Sequence, residues 1–103
     1  MYRLYFIYPL ESGKFDPEGL KKYADWTYDI VKYKYLNYGV GIADLIETQP
    51  VFPNSFKALI YFDFEDSWTC FDTFDENNFV RILDKMLEFT DTPPFVQGVF
   101  IEK

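Results

Sequence analysis

The sequence predicts an α+β fold. Two helices pack on one face of a mostly antiparallel sheet of four or five strands, in the ferredoxin-like order β-α-β-β-(β)-α-β. Three observations carry this expectation. Residues 56–64 alternate strictly, with Phe56, Ala58, Ile60, Phe62 and Phe64 set against Lys57, Leu59, Tyr61 and Asp63. Two other segments place apolar residues at helical spacing behind recognisable start signals. Proline, glycine and acidic turns separate these segments at short intervals. The 103 residues are expected to form a single domain over 1–103. A chain of this size buries a core without staples. Its 22% aromatic content excludes an intrinsically disordered chain.

Residues 2–8 read as a strand rich in Tyr, Phe and Ile, with Leu4, Phe6 and Tyr8 on one face and Tyr5 and Ile7 on the other. Apolar residues on both faces place it inside the sheet. Asp16-Pro17 starts a helix, with Asp16 as N-cap and Pro17 at the first helical position. Leu20, Tyr23, Ala24 and Thr27 begin its inward face, which continues to about Tyr35. Asn37 to Gly41 ends this helix, with Gly39 as the stop. Residues 40–47 form a weaker strand and 48–55 a loop whose tip is Val51-Phe52. After the strand at 56–64, Glu65-Asp66-Ser67 reads as a turn and Trp68 to Phe71 as a short hairpin partner. Thr73-Phe74-Asp75-Glu76 matches a capping box. It opens a helix to about Phe89, with Phe79, Ile82, Leu83, Met86 and Leu87 inward. Phe95 to Ile101 is the last strand.

Composition excludes several kinds of chemistry. The chain has no histidine, which removes Ser-His-Asp and Cys-His catalysis and histidine-based zinc sites. Cys70 alone builds neither a disulfide, a CxxC pair nor an all-cysteine metal site. Acidic neighbours disfavour its thiolate, and a buried, hydrophobe-like role fits it. No cofactor and no metal is implied: Asp72 to Asn77 is acidic but lacks the register and the glycine of a calcium loop. No spacing selects a carboxylate pair for glycoside hydrolysis. Gly39-Val40-Gly41 follows a helix, the reverse of a dinucleotide-binding context. No apolar run reaches the ~20 residues of a membrane span, and the apolar N-terminus lacks a signal-peptide pattern. A cytoplasmic protein is the expectation.

Charge is unevenly distributed within the net −7. Residues 1–36 carry six basic and five acidic side chains, whereas 37–103 carry four basic and twelve acidic ones. Residues 58–80 contain no Lys or Arg but hold Asp63, Glu65, Asp66, Asp72, Asp75 and Glu76 among many aromatics. Such a surface attracts a basic protein, and Trp68 and Phe71 would supply the desolvated anchors that affinity requires. A local explanation stands beside this one: some of the acids cap helices or form turns. The net charge opposes direct nucleic-acid binding. Trp26 and Tyr33, seven residues apart, mark a second candidate contact stripe or dimer seam on the first helix.

In size and charge the chain resembles bacterial immunity proteins, which neutralise basic nuclease toxins, and phage-encoded anti-defence proteins of the anti-CRISPR or DNA-mimic type. The resemblance implies a non-enzymatic inhibitor, monomeric or homodimeric. It would occlude a toxin's active site or substrate channel through Asp63, Glu65, Asp66, Trp68, Phe71, Asp72, Asp75 and Glu76. A small dimeric α+β enzyme or ligand-binding domain is the competing expectation, and a pocket holding a perturbed Asp, Glu, Tyr, Lys or Cys would favour it.

Overall fold

Alternation along the first strand decides which side of the sheet is dry. In a computed structural model, which describes residues 1–11, 13–31, 36–44 and 54–102, β1 (Tyr2–Pro9) buries Tyr2, Leu4, Phe6 and Tyr8 and leaves Arg3, Tyr5 and Ile7 half-buried. It pairs antiparallel with β3 (Phe56–Phe64) on one side and β4 (Phe95–Phe100) on the other. Beyond β3 lies β2 (Asn37–Ile42), also antiparallel. The order β2-β3-β1-β4 is the ferredoxin-like one, with β1 inside the sheet as the sequence predicts.

Register aligns the dry faces. Leu4 stands opposite Phe62, Phe6 opposite Ile60 and Tyr8 opposite Ala58. Phe6 meets Phe62 edge-on at 5.8 Å and Phe79 at 6.1 Å. Each such fully buried aliphatic or aromatic side chain contributes about 1.5–3 kcal/mol relative to exposure.

Helix α1 (Pro17–Val31) begins where expected: Asp16 Oδ1 accepts the Glu18 amide at 3.1 Å, and Pro17 takes the position that needs no donor. Leu20, Tyr23, Ala24 and Thr27 are buried against the sheet. Helix α3 (Glu76–Met86) buries Ile82 and Met86. A tight turn follows, with Leu87, Glu88 and Phe89 amides donating to Asp84, Lys85 and Met86 carbonyls. It returns Phe89 to the core, where its carbonyl accepts the Asp16 amide at 2.9 Å. Gly19 permits this closure, since a Cβ there would stand 2.5 Å from Phe89 Cβ.

Four expectations are corrected. Residues 68–71 are not a strand. They belong to helix α2 (Ser67–Thr73), so the sheet has four described strands and the helix layer three helices. Asp66 is the reason: its carboxylate accepts the Thr69 amide at 2.7 Å and starts a helix, not a hairpin turn. Cys70 and Thr73 then point inward three residues apart. The cap of α3 is Asp75, which accepts the Asn78 amide at 2.9 Å, because Thr73 is already spent ending α2. The helix closes at Met86, three residues before Phe89, and Leu87, expected inward, is 61% exposed. Gly39 is no helix stop but a residue of β2, which starts at Asn37. The Tyr61 ring lies 2.5 Å from where its Cβ would be. The end of α1, Tyr33, Tyr35, residues 45–47 and the Val51-Phe52 tip lie outside the described residues.

Both edges of the sheet, β2 and β4, are free of pairing among the described residues. The β4 edge belongs to a stretch, residues 92–101, without a single charge.

Candidate functional site

Helix α2 is a seven-residue element that turns its small side inward and its large side out. Asp66 fixes its start, and the backbone amide of Thr69 holds that carboxyl below its ordinary range. The Thr73 hydroxyl closes the other end by donating to the Thr69 carbonyl at 2.7 Å. Cys70 is buried, and desolvation pushes its thiol up to about 11, so it is unreactive at neutral pH. With that face sealed, Trp68 and Phe71 lie outside, 76% and 56% exposed.

These two do not stand alone. The Tyr2 ring links Phe71, at 6.0 Å, to Phe100, at 5.1 Å, and Phe100 is 71% exposed. Tyr2 lies over Gly98, where any Cβ would collide with its hydroxyl. The outcome is an aromatic patch running from α2 to the end of β4. Glu65, Asp66, Asp72, Asp75 and Glu76 are all exposed on or beside α2. Trp68 and Phe71, the contact residues expected from the sequence, are thus both exposed. Phe100 was missed, because it stands in the last strand and only the register with Tyr2 brings it to α2.

Asp63 departs from the acidic surface. It sits in β3 directly opposite Arg3 and is buried. Arg3 grips both carboxylate oxygens, Nε at 2.6 Å and Nη2 at 3.0 Å. The guanidinium also lies 4.1 Å from the centre of the Tyr61 ring. Asp63 and Tyr5 together hold Arg3 above its already high pKa. Sixty residues of chain separate the pair, which is why a local reading of residues 58–80 finds no cation there.

Trp26 is half-buried and stacked on Tyr23, with ring centres 6.2 Å apart. It packs against the core, with the Lys85 ammonium 5.4 Å from its ring centre, and Tyr33 lies outside the described residues. Among the described residues no three His, Cys, Asp or Glu side chains converge as a metal site. No described helix is long and apolar enough to cross a membrane.

Among the described residues, no helix packs on the opposite face of the sheet. Ile7, Leu59 and Phe95 form one row across it, Tyr5, Tyr61 and Gln97 a second, and Arg3, Asp63 and Val99 a third. The Arg3–Asp63 pair cancels its own charge, so these three rows are apolar, aromatic and neutral.

The fold is shared widely. An EthD-like protein from Ralstonia eutropha JMP134 superposes with a TM-score of 0.79 at 17% identity, over 95% of this chain and 88% of that one. An ethyl tert-butyl ether D (EthD) family protein from Bacillus halodurans C-125 gives 0.64 at 10% identity, over 99% of both chains. A dimeric ferredoxin-like protein of unknown function from Thermobifida fusca YX gives 0.58 at 7% identity, over 97% and 89%. At such identities the likeness is one of fold. No family model and no curated protein sequence matches the chain.

Proposed function

We propose that this protein is a non-enzymatic binding module that docks a basic protein in the cytoplasm through the α2 surface, as an immunity-type inhibitor does. The observation that carries the reading is the exposure of Trp68 on a helix whose other face is fully committed to the core. Trp68, Phe71 and Phe100 supply apolar anchors, while Glu65, Asp72 and Glu76 steer a positive partner toward them. Asp66 and Asp75 also cap helices, so their contribution to the field comes with a structural duty. Asp63 takes no part. A phage anti-defence role would use the same surface against a nucleic-acid-binding protein.

The test is retention of a basic protein from host lysate on the immobilised chain, with a Trp68→Ala/Phe71→Ala variant alongside. A partner held by the native chain, released by raised salt and lost on the variant is the expected result. Equal retention on both columns discards the α2 surface.

A second reading rests on the neutral, apolar rows of the open sheet face. Two copies packed through that face would give a small dimeric α+β ligand-binding domain or enzyme, in keeping with the dimeric neighbour from Thermobifida fusca. Sedimentation of the native chain against Phe95→Lys separates the readings. A dimer that the substitution dissociates supports the face-to-face assembly, and a native monomer removes it.

A further inference from the structure

Alternation along β4 decides which backbone groups the sheet leaves over. The Ile101 amide donates to the Met1 carbonyl at 2.9 Å, one step beyond Phe100 and Tyr2 in the same register. In an antiparallel ladder every second residue bonds the same neighbour. Val99, Gln97 and Phe95 therefore turn their N–H and C=O groups to Arg3, Tyr5 and Ile7 of β1. Val96, Gly98 and Phe100 turn theirs away, to the side that has no strand among the described residues. Gln97 marks that side. Its Nε2 donates to the Gly98 carbonyl at 2.9 Å, taking the acceptor that a further strand would use.

An edge strand is ordinarily blunted by a Lys, a central Pro or a bulge. β4 has none of these. Residues 92–101 carry no charge, Pro93 and Pro94 precede the strand, and its pairing with β1 runs from Phe100 to Phe95 without a shift. The side chains of Phe95, Val96 and Phe100 are exposed as well. On the helix side Gly98 lies between Val96 and Phe100, with Tyr2 over it. A side chain of an added strand that faces Gly98 would meet Tyr2 and Phe100.

Charge selects the kind of strand. Arg3, opposite Val99, is neutralised by Asp63, and Lys14 stands beside Asp91 ahead of the strand. At its other end β4 runs through Phe100 and Tyr2 into the α2 surface, where Glu65, Asp66, Asp72, Asp75 and Glu76 are exposed. A second copy would bring a charge of −7 to this edge and be repelled, whereas a basic segment is attracted.

We propose that the free edge of β4 takes up an extended basic segment of the partner protein as a further strand. The backbone of the segment bonds Val96, Gly98 and Phe100. Its apolar side chains cover Phe95 and Phe100, and its Lys or Arg residues reach the α2 carboxylates. The inference deepens the reading of the protein as a binder of basic proteins and rests on it for the sign of the partner's charge.

The probe is a peptide of alternating valine and threonine with lysines at both ends. It is added to the native chain, and amide hydrogen exchange is followed by NMR. At a peptide concentration about ten times its dissociation constant, exchange at Val96, Gly98 and Phe100 should slow about tenfold. Gln97 and Val99, already bonded to β1, should change much less. Val96→Pro removes one outward donor, leaves the β1 ladder intact and should weaken binding about tenfold. The same peptide N-methylated along its core should not bind, and this control does not depend on how any variant folds.

Three results overturn the proposal. One is the absence of alternating protection along β4. Another is equal binding of the N-methylated peptide. The third is equal binding of a peptide with glutamates in place of the lysines, which removes the basic segment. The Trp68→Ala/Phe71→Ala columns keep the two surfaces apart. Lysate retention lost on that variant, with no peptide protection of β4, leaves the α2 surface standing and overturns the added strand. Peptide protection together with equal retention on both columns discards the α2 surface and leaves the strand.

Discussion

The two faces of the sheet are built by the same strands to opposite specifications. On the helix side β1 and β3 contribute Leu4, Phe6, Ile60 and Phe62, and every one is buried. On the other side the same strands contribute Arg3, Tyr5, Tyr61 and Asp63, held by a bidentate ion pair and ring contacts. The difference teaches that Asp63 is buried without being in the core. Its neighbours in the sheet shield it, and Arg3 compensates it. One face draws its stability from area removed from water, the other from satisfied polar groups.

Substitutions break that contrast to different depths. Phe6→Ala should cost about 3–5 kcal/mol in urea unfolding, because it empties the middle of the dry face. On the open face Arg3→Met strands the buried Asp63 charge. It is expected to cost about 2–3 kcal/mol, less than the full penalty of a buried pair because a quarter of the Arg3 side chain remains in solvent. Adding Asp63→Leu to that variant should restore most of the loss, and failure to recover would show that the pair does more than neutralise itself. Asp75→Ala, which removes the α3 cap, should cost about 1 kcal/mol. Phe95→Lys should change the monomer's unfolding free energy by no more than about 0.5 kcal/mol, since its ring lies largely in water.

The smallest effect is one of pH. The folded pKa of Asp66 is depressed by the Thr69 amide. The stabilisation from this cap is therefore present above the ordinary carboxylate range and is lost as pH falls through the folded value. Asp66→Asn should flatten this part of the acid limb when unfolding midpoints are compared from neutral to acid pH. An unchanged limb would remove Asp66 from the acid response.

Much of this architecture was legible because it is local. The period of two in 56–64 and the Asp16-Pro17 start signal are short-range facts, and both elements form where they imply. Residues 68–71 misled because Trp, Cys and Phe in four positions fit a strand as well as one turn of helix. Only the cap at Asp66 decides between them. The candidate surface was half legible for a related reason. Trp68 and Phe71 stand out within one segment, whereas Phe100 joins them, and Asp63 leaves them, through strand pairings with Tyr2 and Arg3 that span most of the chain. Long-range register has no signature in a window of residues.

The charge-free run from 92 to 101 has a colloidal consequence. An edge strand whose outer side has no partner among the described residues, and which has no Lys, Glu or interrupting Pro at its centre, is a template for further strands. What keeps copies from stacking along β4 is then not the edge itself but the excess negative charge carried elsewhere on the molecule. Close to the isoelectric point of about 4.4 that long-range repulsion vanishes. Acid precipitation should therefore begin at β4, while the rest of the fold is still intact.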